Sequence, residues 1–111
     1  MAQKTVNNRS AATLQIGFLV RQGADPANFD GVVYFTIRPG ETRTVTYGNQ
    51  QNVFLNGVVI STISNGDVYT KTQIVTVRGS QLDNLLNTNS IIDILPISTD
   101  YVMFARNPNS N

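Results

Sequence analysis

Histidine, cysteine and tryptophan are all missing from this chain, and lysine occurs only twice, at Lys4 and Lys71. Each absence removes a class of chemistry. Without histidine the commonest general base and metal ligand is gone, and without cysteine there is no thiol nucleophile, thiolate metal site or disulfide framework. The redox compartment is equally unmarked. A serine nucleophile would need another base. A two-carboxylate hydrolase would need well-placed acids, but Glu41 falls in a turn signal and the six aspartates mostly stand beside Gly, Pro or Asn as turn formers. The expectation is a protein that is not an enzyme, with no catalytic residue, no cofactor and no metal centre. Asp25, Asn28 and Asp30 in GADPANFDG offer oxygen ligands that calcium could accept. Their spacing is not that of an EF-hand, and an Asx turn accounts for each.

Charge is also scarce. Charged residues make up 14% of the chain, well below the usual quarter or so, and the net charge is +1. Asn, Gln, Ser and Thr supply 39 of the 111 residues, so the surface is expected to be largely neutral and polar. The six arginines (Arg9, Arg21, Arg38, Arg43, Arg78 and Arg106) are scattered singly rather than clustered with aromatics, so no nucleic-acid partner is expected. No run of eighteen apolar residues occurs, which argues against insertion in a membrane as a helix. The opening MAQKTVNNRSAATLQIG lacks a long apolar core behind a basic region. It reads as a chain with no classical signal peptide, cytoplasmic or packaged into a particle or spore, or released by a non-classical route.

What is present is alternation. At 111 residues the chain fits one domain with a single core, residues 1–111. In ATLQIGFLVR, Leu14, Ile16, Phe18 and Val20 share one face of a strand, and VVYFTIR places Val33, Phe35 and Ile37 likewise. QGADPANFDG between them is a loop. Arg38-Pro39-Gly40-Glu41 reads as a turn in which Pro fixes φ and Gly takes a positive φ. The pairs Asn56-Gly57 and Asn65-Gly66 both carry the signature of a type I′ hairpin turn, giving VFL-NG-VVI and TIS-NG-DVYTKTQIVTV. IIDIL and DYVMFAR, parted by Pro96, supply the last strands, and Lys71 is expected to point outward to water. The fold expected is an all-β antiparallel sandwich, jelly-roll-like, with about eight strands. PGETRTVTYG, a Pro-Gly turn leading into a Thr/Val strand, resembles a device seen across many sandwich and jelly-roll proteins, including pilus-like, spore-surface and virion subunits; it singles out no family.

One stretch departs from period two. In VRGSQLDNLLNTNSIIDIL, Ser80 followed by Asp83 fits a helix cap, Leu82, Leu85 and Leu86 share one face, and Asn87 and Asn89 can stop the turn. A short helical turn near residues 80–87 is expected to plug an open end of the sandwich. The same segment gathers Arg78, Ser80, Asp83, Asn87 and Asn89, a polar cluster that could serve a ligand or an interface.

Two features point to association. VVYF, VVI, IIDIL and YVMFA are apolar on both faces, although a sandwich strand ordinarily shows one face to water. With only two lysines, the sheet edges look permissive. The N-terminal residues 1–12 are expected as an extended arm and residues 106–111 as a tail, either able to lie on a neighbour. The reading is a structural or self-assembling subunit, a homo-oligomer or filament built through sheet faces and edges, such as a particle or surface-layer component. The alternative is a lectin-like module binding a glycan, with Tyr34, Tyr47, Tyr69 and Tyr101 as the available platforms.

Overall fold

In a computed structural model that describes residues 2–64, 66–97 and 100–108, period-two alternation builds eight strands. They are β1 (Ala2–Asn8), β2 (Leu14–Arg21), β3 (Phe29–Ile37), β4 (Thr42–Tyr47), β5 (Leu55–Ser64), β6 (Asp67–Ile74), β7 (Ile91–Ile97) and β8 (Asp100–Arg106), with one helix, α1 (Gln81–Asn87), between β6 and β7. One sheet has the order β4-β1-β7-β8, the other β3-β2-β5-β6. They are called the β1 sheet and the β2 sheet below, and they pack as a sandwich.

All pairings are antiparallel except β1 with β7, which run parallel. The jelly-roll order expected from the sequence does not appear. The consecutive strands β2 and β3, β5 and β6, and β7 and β8 remain neighbours in one sheet, and β1 enters between β4 and β7. The N-terminal stretch is therefore an interior strand of its own chain's sheet rather than a free arm. Val6 in it is fully buried, which ties the segment down by core packing as well as by two ladders.

The core follows the alternation. Leu14, Ile16, Phe18 and Val20 of β2, Phe35 and Ile37 of β3, Val58 and Ile60 of β5 face Val6 of β1, Val45 and Tyr47 of β4, and Ile92 and Ile94 of β7. Phe18 sits at the centre. Its ring makes edge-on contacts with Phe35 at 5.2 Å and, across the sandwich, with Tyr47 at 5.7 Å. Such pairs add about 0.5–1.5 kcal/mol each beyond the burial of their area. Burial pushes the Tyr47 phenol up to about 12.

The turns separate the correct sequence signals from the misleading one. At Arg38–Glu41, Gly40 takes φ 74° and Glu41 N–H donates to the Arg38 carbonyl at 3.0 Å, the turn expected. Between β5 and β6, Ser64 pairs with Asp67 and Gly66 takes φ 84°, as a two-residue turn requires; Asn65 itself lies outside the described residues. Asn56-Gly57, by contrast, is no turn. It lies inside β5, where the register shifts: Leu19 faces Gly57, the next residue Val20 faces Leu55, and Asn56 is left over as the extra residue of a bulge. Pro96 likewise does not end a strand. β1 pairs with β7 only as far as Ile94, so the missing N–H of Pro96 leaves no β1 ladder partner unsatisfied.

Candidate functional site

The helical turn is where the sequence placed it. Ser80 is the N-cap with extended backbone, its hydroxyl accepting from the Asp83 N–H at 3.3 Å. Leu86 is fully buried, and Leu82 and Leu85 pack against the core beside it. The leucine plug expected from the sequence is thus formed.

The polar residues of the same stretch bond chiefly to one another and to Arg21, at the border of a small cleft. Asp83 is 7% exposed, and Arg21, at the end of β2, is 2% exposed. Arg21 Nη2 donates to Asp83 Oδ1 at 2.7 Å, and Asn87 Nδ2 donates to the same oxygen at 2.7 Å. The other oxygen, Oδ2, accepts from the Gly79 N–H at 2.8 Å. Arg21 Nε donates to Asn56 Oδ1 at 3.0 Å, and Asn56 Nδ2 reaches the Pro26 carbonyl at 2.6 Å. The Arg21 guanidinium also lies 5.5 Å from the centre of the Phe54 ring. Burial pushes the Asp83 carboxyl up, but hydrogen bonds from Gly79, Arg21 and Asn87, with the charge of Arg21, outweigh it and hold the group below the usual carboxylate range.

Asn87 does something no leucine pattern announces. Its Oδ1 accepts from Leu55 N–H at 2.7 Å and its Nδ2 donates to the Leu55 carbonyl at 2.9 Å. A side-chain amide thus imitates a neighbouring strand for the first residue of β5. The expected turn residue Asn56 and the unremarked Arg21 are the two members that sequence reasoning missed. Asn56 was masked by its own turn signature. Arg21 looked like an ordinary charged end of an apolar run.

Arg78 and Asn89 stand outside this network. Arg78 is exposed and, with Arg21, Phe54, Gly79, Asp83, Asn84, Asn87 and Thr88, lines a cleft of about 230 Å³. Asn89 Nδ2 bonds to the Leu85 carbonyl at 3.2 Å, and its own carbonyl accepts from the buried Lys4 Nζ, a group whose pKa burial lowers. The five residues grouped from the sequence therefore form a cap, a buried ion-pair network and two separate neighbours. The helix has seven residues, and the Asp83 N–H of its first turn is already bonded to the Ser80 hydroxyl.

The other sequence candidates resolve as local structure. Asp25 Oδ1 accepts from the Ala27 N–H at 3.0 Å, an Asx turn, and its carbonyl accepts from Asn28 at 3.1 Å. Among the described residues no three His, Cys, Asp or Glu side chains come together. Lys71 does not point outward. On β6 it lies on the same side as the core-facing Ile60 to which it is paired, and at the open flank of the sandwich it bonds to Asp100 of β8 at 3.1 Å and to the Tyr101 carbonyl at 2.8 Å. Tyr69 joins it, donating to Asp100 and meeting the Tyr101 ring at 5.5 Å. The hydrogen bond from Tyr69, with further ones from Tyr101 N–H and Lys71, holds the Asp100 carboxyl down at about 2.

These contacts also engage part of the edges that the sequence left open. On the opposite flank Arg43 Nη1 donates to the Thr36 carbonyl of edge strand β3 at 2.8 Å and its guanidinium lies over Phe35. β3 itself carries a register break near Gly31. A bulge and a side chain bonded to an edge carbonyl both discourage strand addition.

The sheet faces differ sharply. Outside the β1 sheet, Asp93 is buried under Arg106 (2.9 Å) and Arg9 (3.5 Å) and accepts from Asn7 Nδ2 at 2.7 Å, while Asn7 Oδ1 accepts from the Thr42 hydroxyl at 2.5 Å. That face satisfies its own polar groups. Outside the β2 sheet the register aligns three rows: Val32, Leu19, Gly57 and Ile74; then Tyr34, Gly17, Val59 and Thr72; then Thr36, Gln15, Ser61 and Thr70, with Ile63 and Val68 paired beyond. None of these fourteen residues is charged. Tyr34 is 61% exposed, Val32 41% and Ile74 46%. Gly17 is what lets the Tyr34 ring lie down, because a Cβ there would stand 2.8 Å from the ring. At the polar end of this face a shallow cleft of about 580 Å³ is lined by Thr13, Gln15, Thr36, Ser61, Thr62 and Thr70 with Ile63 and Val68.

Comparison of the chain with family models, with curated proteins and with solved structures gave no match.

Proposed function

We propose that this protein is a non-enzymatic structural subunit that associates with copies of itself. The observation that carries the reading is the outer face of the β2 sheet, on which Tyr34, Val32 and Ile74 stand in solvent with no charged residue among them. A sandwich strand facing water normally alternates toward polar and charged residues, and extended uncharged apolar patches mark interaction surfaces. The candidate polar cluster supports the same view by elimination. Its acid, its amides and its buried arginine bond to one another, so no group is left poised for chemistry. Sedimentation velocity over a range from micromolar to millimolar should show reversible growth in mass. A monomer throughout that range would refute the proposal.

A second reading, binding of a neutral glycan, is favoured by the hydroxyl-lined cleft at the Thr36 end of the sheet face that carries Tyr34. Sugar hydroxyls pair with neutral hydroxyl and amide groups, and an exposed ring lying along a sheet suits the apolar face of a pyranose. A glycan array probed with the protein tests it, and an array without signal rejects it.

A further inference from the structure

We infer that association is a closed two-fold dimer in which the outer face of one β2 sheet packs on the same face of a second copy, with Tyr34 near its centre. The inference rests on the proposed self-association and adds its surface, its partner and its stoichiometry.

Three observations select a second copy as the occupant. The first is size. Four strands about 4.8 Å apart and some seven residues long, at about 3.3 Å each, span about 440 Å² in projection before side-chain relief is added, the scale of a small reversible interface rather than of an obligate one. The second is charge. In a two-fold interface each patch meets itself, so any charge near the axis meets its like. A face without charge over its whole paired area is free of that penalty, whereas a partner recruited by electrostatics would find nothing to read. The third is shape. The face is a sheet surface flattened by Gly17 and Gly57 rather than a deep pocket, and two such faces pack about 10 Å apart.

The dimer stops at two because the other face is less suited to stacking. Outside the β1 sheet Phe104 and Ile97 are exposed as well, but Asp93, Arg9, Arg106, Asn7 and Thr42 bond among themselves beside them, and stacking there would bury ionic groups. At the flanks Arg43 and Lys71 each hold one carbonyl, of β3 and of β8. One uncharged face used by both copies gives a pair, not a filament.

The test is sedimentation equilibrium on the full chain and on three variants. Tyr34→Lys and Val59→Lys place like charges across the axis and should weaken the dimer by roughly a hundredfold or more, because juxtaposed like charges at an interface cost several kcal/mol. Phe104→Lys, on the outer face of β8, should leave the dimer unchanged. Both substituted β2-sheet positions face solvent in the single chain, and circular dichroism melts check that the variants remain folded. A wild-type monomer at all concentrations overturns self-association itself. A wild-type dimer that survives Tyr34→Lys and Val59→Lys overturns only the assigned face, and growth beyond the dimer overturns closure.

Discussion

Replacing Asp83 by Ala should cost about 3–5 kcal/mol of folding stability, the penalty for leaving one member of a buried ion pair alone. The magnitude follows from what Arg21 keeps. It loses its one anionic partner among the described residues, at 2.7 Å, and retains Asn56 Oδ1 at 3.0 Å and the Leu55 and Ala24 carbonyls at 3.3 and 3.5 Å, the last two long for a hydrogen bond. A guanidinium that is 2% exposed would then be compensated by neutral acceptors alone. The same substitution leaves Gly79 N–H and Asn87 Nδ2 without their acceptor. Urea denaturation, followed by tyrosine fluorescence because the chain has no tryptophan, measures the loss. The double variant Arg21→Met/Asp83→Leu removes both charges and should recover most of it, since apolar replacements of buried pairs are often neutral or stabilising. A loss under about 1 kcal/mol for Asp83→Ala, or a double variant no better than the single, would refute the account.

Acid should act through the same groups. Asp83 and Asp93 both feel burial as a push upward that hydrogen bonds and arginines overcome, so each folded pKa lies below its unfolded value near 4. Their stabilisation is complete above that unfolded value and is lost as pH falls through the folded one, so urea midpoints should be level above about pH 5 and fall below pH 4, less steeply in Asp83→Asn. Leu86→Ala should cost about 2–5 kcal/mol and Ser80→Ala about 1 kcal/mol in thermal or urea unfolding. Gly57→Ala should cost some 1–3 kcal/mol, because its Cβ would stand 2.4 Å from the Gln73 carbonyl, which is backbone and cannot swing away. Gly17→Ala should cost less, since the obstacle 2.8 Å away is the exposed Tyr34 ring. Raising sodium chloride from about 0.05 to 0.5 M should leave the self-association constant nearly unchanged in sedimentation, because the free face holds no charge to screen.

Most of the fold was legible because one face of most strands is buried. A period-two pattern such as Leu14, Ile16, Phe18, Val20 fixes both the strand and its inward side, and a slip by one residue would invert every one of them. The plug was legible for a similar reason, a local cap followed by leucines three and four apart. Topology was not. Nothing local in AQKTVNN says that it will run parallel to a strand some eighty-five residues later, because that pairing depends on both ladders and on Val6 reaching the core. Asn56-Gly57 failed as a turn for a physical reason that the dipeptide shares. A small flexible pair suits a type I′ turn, and it equally suits a bulge where Gln73 and Leu19 crowd the glycine.

The candidate cluster shows why polar residues in a protein so poor in charge are a weak signal of chemistry. β5 starts beyond the reach of β6, whose pairing ends at Gly57 with Ile74, so Leu55 lacks a strand neighbour on that side. Asn87 supplies one from the helix, and Asp83 on the same helix is within reach of Arg21, which the bulge has turned inward. Asn56 then binds the loop that joins β2 to β3. Asp83, Asn87, Arg21 and Asn56 are consumed in holding α1, the end of β2, the start of β5 and the loop from Gln22 to Asn28 to one another, places where ladder hydrogen bonds do not reach. The ionic groups of the chain are thus drawn into its ends, flanks and interior. What they leave behind is a sheet face with no charge on its paired residues, the face on which the proposed self-association rests.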